Sequence, residues 1–414
     1  MIKPNFIDKL LDGVEVEWKT LGEVGELVRG NGLPKTDFTE FGIPAIHYGQ
    51  IYTYYGTFTT ETKSFVSYET AKKLKKVDTG DVVITNTSEN LEDVGKTVVY
   101  LGKVQAVTGG HATIFKPSNQ ISGKYFAYFT QTEMFASQKR KYAKGIKVID
   151  VSATDMSKII IPIPPLKVQE EIVRILDTFA ELTAELTAEL TAELTTRKKQ
   201  YEYYRDKLLT FEEGEVEWKA LGEVSEYSKT RIASASLDKT NYVGVDNISQ
   251  NRAGKTDSNY VPTEGNSTGY CANDILIGNI RPYLKKIWFA DCVGGTNGDV
   301  LVIHPTGKDV NPKFLYHVLA DDSFFDYNMQ HAKGAKMPRG NKDKIMEYLI
   351  PIPYPSNPIK SLEEQNRIVS ILDKFDALTS SITEGLPREI ELRQKQYEYY
   401  RYMLLSFPKE EVEA

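Results

Sequence analysis

The chain has 414 residues, too many for one ordinary hydrophobic core, so two or more domains are expected. Hydrophobic residues make up 41% and charged residues 26%, the balance of a soluble globular protein. A net charge of −6 argues against binding nucleic acid through the chain as a whole and directs attention to local basic clusters. No apolar run approaches the length of a membrane span, and Met1-Ile2-Lys3-Pro4-Asn5 lacks the apolar core of a signal peptide, so a cytoplasmic protein with no membrane contact is expected. Cys271 and Cys292 are the only cysteines and have no His or Cys spaced to complete a zinc site, so free thiols and no metal are expected.

In chain order, the first landmark is Gly13-Val14-Glu15-Val16-Glu17-Trp18-Lys19-Thr20-Leu21-Gly22-Glu23-Val24, which returns as Gly214-Glu215-Val216-Glu217-Trp218-Lys219-Ala220-Leu221-Gly222-Glu223-Val224. Such internal repetition sets the architecture before any single element does. Residues 25–157 and 225–346 then share little identity, yet Gly80-Asp81-Val82-Val83-Ile84 answers Asn273-Asp274-Ile275-Leu276-Ile277, and Lys144-Gly145 answers Lys333-Gly334. Runs such as Val98-Val99-Tyr100, 112–115, Ile287-Trp288-Phe289 and 300–303, punctuated by Gly and Asn, predict short strands, with helices over 125–141 and 312–329. Each variable region closes on an extended exit, Ile161-Pro162-Ile163-Pro164 or Ile350-Pro351-Ile352-Pro353, where proline disfavours helix.

Beyond the first exit, Gly and Pro are absent from 167 to 213, and residues 183–194 read Thr-Ala-Glu-Leu three times after the near-copy Phe179-Ala180-Glu181-Leu182. Strong helix formers without a breaker predict one helix of roughly 65 Å. Each four-residue unit adds about 6 Å and about 40° beyond a full turn, while a base pair of DNA adds about 3.4 Å and about 35°. The helix therefore reads either as a measuring rod whose length is set through Thr183, Leu186, Leu190 and Leu194, or as a surface helix whose leucines pack on a partner. Its flanks recur: Ile175-Leu176-Asp177 with Phe179 returns as Ile371-Leu372-Asp373 with Phe375, and Gln200-Tyr201-Glu202-Tyr203-Tyr204-Arg205 as Gln396-Tyr397-Glu398-Tyr399-Tyr400-Arg401. Gly385-Leu386-Pro387 is expected to break the second helix into two pieces. Asp8-Lys9-Leu10-Leu11 resembles Asp206-Lys207-Leu208-Leu209, so the order is almost circular and the termini are expected together. The stripe Ile172, Ile175, Leu176 and Phe179 is expected to pack on Ile368, Ile371, Leu372 and Phe375.

No catalytic constellation stands out. Gly95-Lys96-Thr97 and Gly254-Lys255-Thr256 end like a phosphate-binding loop, but Asn90 and Ser249 stand where its first glycine is needed. Binding is better served. Lys139, Lys144 and Lys147, with Lys96, and Lys333, Lys336 and Arg339 offer cations for phosphates, against the plain alternative of a solvated face. Asn279 and Arg281, followed by Lys285 and Lys286, combine base-reading and phosphate-holding types in one turn. Asn86 and Ser88 form its polar counterpart, and Gln50 and Tyr52 belong to an aromatic segment suited to lie along a groove.

Two dissimilar β-rich regions, each followed by a near-identical long helix, with Thr-Ala-Glu-Leu repeats and near-circular order, resemble the specificity (S) subunits of type I restriction–modification systems, of the EcoR124-like subgroup. The resemblance covers the whole chain. It implies an α+β fold with two β-rich target recognition domains separated by two long antiparallel conserved helices in a coiled coil, related by a pseudo-two-fold. The implied domains are residues 1–165 (first recognition domain), 166–211 (central helix), 212–361 (second recognition domain) and 362–414 (C-terminal helical region). It implies a non-catalytic subunit that reads bipartite double-stranded DNA and holds no cofactor. It joins two methyltransferase (M) subunits using S-adenosylmethionine, and restriction (R) subunits using ATP and Mg. The M subunits are expected to dock on Tyr201, Tyr204, Tyr397 and Tyr400. The alternative is a stand-alone enzyme with an unrecognised active site.

Overall fold

The computed structural model describes residues 6–212, 214–380 and 385–407. Two compact units divide the chain, Met1–Glu185 with Gln394–Ala414, and Leu186–Arg393. Among the described residues no helix is long and apolar enough to cross a membrane.

The repeated opening and the repeated exit turn out to be partners. Glu17–Thr20 pairs antiparallel with Ile160–Ile163, Trp18 opposite Pro162; Val216–Ala220 pairs with Leu349–Pro353, Trp218 opposite Pro351. A proline is tolerated in a two-stranded ribbon because its missing N–H can face away from the partner strand. Each variable region is thereby pinched shut at its base.

Between these ribbons, among the described residues, unit 1 builds two five-stranded sheets and a two-stranded one, and unit 2 builds two four-stranded sheets; one sheet of unit 1 aligns in strand order with one of unit 2. In unit 1 the order is Gly25–Arg29, Ala112–Pro117, Val82–Thr85, Thr97–Tyr100 and Phe58–Thr59; in unit 2 it is Ser225–Tyr227, Val300–Pro305, Ile275–Gly278 and Ile287–Phe289. The central strands Val82–Thr85 and Ile275–Gly278 are buried along their whole length, as their unbroken apolar runs dictate. Expected helices over 125–141 and 312–329 are each broken in two, Gly123–Phe129 with Glu133–Tyr142, and Pro312–Leu319 with Asp322–Gln330. The reason is an N-cap inside each: the Thr132 side chain accepts from Phe135 N–H, and the Asp321 carboxylate from Ser323 N–H. The aromatic segment around Gln50 and Tyr52 forms a short helix, Tyr48–Thr53.

The long helix is continuous from Leu166 to Leu209, 44 residues. The second helical region comprises Pro358–Ser380 and Gly385–Leu405. Gly385 has a φ of 74°, and a Cβ there would lie 2.6 Å from the carbonyl oxygens of Ala377 and Leu378, so only glycine fits.

The expected packing of the two apolar stripes on one another is corrected: each is buried inside its own unit. Ile172 and Leu176 join Leu404, Leu405 and Phe407 with Ile7 and Leu11, which brings the first and last described helices together. Ile368 and Leu372 lie in the other core, where Tyr201, Leu208 and Phe211 pack. Each fully buried aliphatic side chain contributes about 1.5–3 kcal/mol. The repeats cross over, so that Phe179 stacks on Tyr400 at 4.8 Å and Phe375 on Tyr204 at 5.4 Å.

Two further repeated contacts tie helix to variable region. Ser122 N–H donates to Gln169 Oε1 at 2.9 Å, as Asn311 N–H does to Gln365 at 2.8 Å, both glutamines being buried. Asp177 accepts from Tyr128 and Lys124, both at 2.7 Å, and Asp373 is 2.7 Å from His317 Nε2.

Candidate nucleic-acid interface

In each unit the residues just after the central strand meet a hairpin from far along the chain. Asn86 N–H donates to the His111 carbonyl at 2.8 Å, and Val151 N–H donates to the Asn86 carbonyl at 2.9 Å. In unit 2, Asn279 N–H donates to Asp299 O at 2.8 Å and Gly340 N–H to Asn279 O at 3.2 Å. Thr87 pairs with Asp150 and Ser88 with Ile149; Ile280 bridges to Arg339, while Arg281 N–H donates to Pro338 O. The hairpins are closed by reciprocal bonds, Lys144 with Asp150 and Lys333 with Arg339, at the same spacing. Both turn on a left-handed glycine, Gly145 with φ 108° and Gly334 with φ 98°. One backbone frame therefore occurs twice.

On that frame the side chains differ. Unit 1 presents Thr87, Ser88 and His111, whose Nδ1 is 2.9 Å from Thr87 Oγ1 and whose ring lies 5.1 Å from Tyr48. His111 is exposed and left-handed, at φ 64°, a strained conformation for a non-glycine residue. Unit 2 presents Ile280, Arg281, which is exposed at φ 53°, and Arg339, held by Asp299 at 2.5 Å. A carboxylate that orients an arginine fork prepares it for a planar, bidentate acceptor. His111 and Asp299 escape a reading of the sequence, because only the fold carries them to the turn.

Several sequence candidates have partners within the protein. Asn86 is fully buried, donating to Val151 O at 2.7 Å and accepting from Thr113 Oγ1 at 2.8 Å. Asn279 is buried too, and Leu301 stands where the register of unit 1 has Thr113, so Asn279 Oδ1 finds no donor. Lys139 is buried, its ammonium donating to Val94 O at 2.6 Å, and burial pushes its pKa down to about 8. Lys285 is tied to Asp322 at 2.7 Å, and Lys286 donates to Val245 O at 2.6 Å. Burial lowers the pKa of both. Gln50 is half-buried, capping its own helix and donating to Ser64 Oγ, while the Tyr52 hydroxyl donates to Thr87 O and burial raises its pKa. Lys96 pairs with Asp93 at 2.5 Å.

On the surface lie Ser88, half-buried at the turn, and the exposed Lys96, Lys144, Lys147, Arg281, Lys333, Lys336 and Arg339. Lys144 lies 3.0 Å from Asp155, whose pKa is held down by hydrogen bonds from Lys158 and then Lys144. Lys147, Arg281 and Lys336 have no acidic partner among the described residues. Of the four tyrosines expected to dock a partner, Tyr204 stacks on Phe375 and stays exposed, Tyr400 stacks on Phe179, and Tyr201 and Tyr397 are half-buried; the same helical turns also expose Tyr203 and Tyr399.

A twice-built frame with unlike surfaces, each joined to a repeated helical region, defines a tandem recognition protein. The chain belongs to the family described as "Type I restriction modification DNA specificity domain", matched over residues 13–196 and again over 213–392. It is 34% identical to the EcoR124I/EcoR124II specificity subunit of Escherichia coli, over 99% of each chain. A putative type I restriction enzyme specificity subunit of Haemophilus influenzae is 32% identical, over 97% of this chain and 98% of that one. A solved chain from a type I R-M system, 14% identical, shares the fold with a TM-score of 0.62 over 94% of this chain and 98% of its own.

Proposed function

We propose that this protein is the non-catalytic specificity subunit of a type I restriction–modification complex, each unit reading one half of a bipartite double-stranded DNA target. The observation that carries the reading is the repeated frame, the same backbone bonds from Asn86 and Asn279, bearing Thr87, Ser88 and His111 in one unit and Ile280, Arg281 and Asp299 in the other. Residues 1–165 and 212–361 act as the recognition domains, and 166–211 and 362–414 as the helical regions that set the spacer and dock partners. Lys144, Lys147, Lys333 and Lys336 hold phosphates, while Ser88 and Arg281 reach base edges.

Adenine methylation with S-adenosylmethionine, and cleavage with ATP and Mg, belong to M and R subunits that assemble on this chain in the cytoplasm. The twin helix ends, with Tyr203 and Tyr399 exposed, offer two like patches and hence docks for two M subunits.

Exchange of residues 25–157 for the corresponding region of another family member, followed by mapping of methylated bases in a host that supplies the M subunit, tests the reading. One half of the methylated sequence is expected to change and the other to persist. A change in both halves refutes it.

A further inference from the structure

The tips of the two hairpins carry apolar side chains out into water. Ile146 is 97% exposed, Val148 beside it is exposed, and the position that matches Val148 in unit 2 holds Met337, 50% exposed. An aliphatic group at a loop tip adds nothing to the folded core and is free to make apolar contact outside the chain.

The hairpins are also closed by their own backbone. Each is closed by two backbone hydrogen bonds of 2.8–3.0 Å in unit 1 and 2.9 Å in unit 2. A Cβ at Gly145 would come 2.0 Å from the Val148 carbonyl oxygen, so the turn is specific to glycine. Lysines flank both tips: Lys144 and Lys147 in one, Lys333 and Lys336 in the other. Cations on the flanks and an apolar group at the point match a DNA groove, whose edges are phosphates and whose floor is the bases.

We propose that each hairpin enters a groove of the duplex tip first, so that Ile146 and Val148 in unit 1, and Met337 in unit 2, make apolar contact with bases while the flanking lysines hold phosphates. This rests on the reading of the chain as a DNA-recognition subunit and adds a class of contact to it. Apolar contact with bases takes two forms, packing on a thymine methyl group or wedging between adjacent base pairs. Ala335 stands where unit 1 has Ile146, so the two tips differ in reach and read their half-sites differently.

The test uses the full chain assembled with its M subunit and duplexes carrying the mapped target. Ile146→Ser and Met337→Ser are expected to weaken binding about tenfold with an unchanged dependence on salt. Lys147→Ala and Lys336→Ala are expected to lower the slope of log affinity against log salt by about one. Loss of affinity on replacing one thymine by uracil assigns the methyl contact, and a 2-aminopurine fluorescence rise abolished by Ile146→Ser assigns the wedge. Serine variants that bind the mapped target as tightly as the parent overturn the proposal. Failure of the parent complex to bind any bipartite duplex is a separate result, which removes the underlying reading instead.

Discussion

Deletion of one Thr-Ala-Glu-Leu unit, residues 187–190, isolates the length of the long helix from everything else. The helix has 44 residues, about 66 Å at 1.5 Å each, and the deletion removes about 6 Å and about 40° of rotation beyond a full turn. No residue from 180 to 196 is buried, and Leu182 and Leu186 are both exposed, so the loss of packing is on the order of 1 kcal/mol or less. The repeat also preserves its own bonding, because the Thr191 hydroxyl, which donates to Thr187 O at 2.6 Å, meets Thr183 O in the shortened helix. One base pair accounts for about 3.4 Å and about 35°, which nearly restores the rotation and leaves about 2.6 Å for DNA bending to absorb. Mapping of methylated bases in a host that supplies the M subunit is expected to show both half-sites intact and the spacer shorter by one base pair. The unfolding midpoint is expected to move by no more than a few degrees. An unchanged spacer at full activity refutes the ruler, and lost stability with an unchanged spacer assigns the leucines to packing.

Thr113→Val removes the donor to Asn86 Oδ1 and recreates in unit 1 the unsatisfied amide of Asn279; chemical unfolding is expected to show a loss of about 1–3 kcal/mol, and no loss refutes the pairing. Arg281→Ala is expected to relax specificity in one half-site by about 1–3 kcal/mol in competition binding, whereas equal losses on all sequences return Arg281 to the backbone-contacting class. Lys139 gives up its proton near pH 8 in the folded protein but near 10.5 when unfolded, so from pH 8 upward the unfolded chain binds more protons and stability rises with pH. Lys139→Met is expected to flatten that rise between pH 8 and 9.5, and a parent protein whose stability falls across the window contradicts the burial of the ammonium.

The sequence alone determined the architecture where local chemistry leaves little choice. A run of Ala, Glu, Leu and Thr without Gly or Pro favours helix by its local propensity, and the Trp-containing opening and Ile-Pro-Ile-Pro exit recur together because they are two strands of one ribbon. The central strands were legible for the same reason, whereas the residues before Gly385, where the second helix was expected to break, lie outside the described residues. The candidate interface was legible only in part. Asn86 and Lys139 are polar residues whose partners, Thr113, Val151 and Val94, lie 27, 65 and 45 positions away, so their burial follows from tertiary pairing and leaves no local mark. His111 and Asp299 reach the interface only because a neighbouring strand delivers them there. The crossing of the repeats, Phe179 with Tyr400 and Phe375 with Tyr204, was beyond the sequence for a deeper reason. Two near-identical copies have the same propensities and the same apolar faces, so local energies cannot say which copy pairs with which; only the connection of the chain through the folded units decides it.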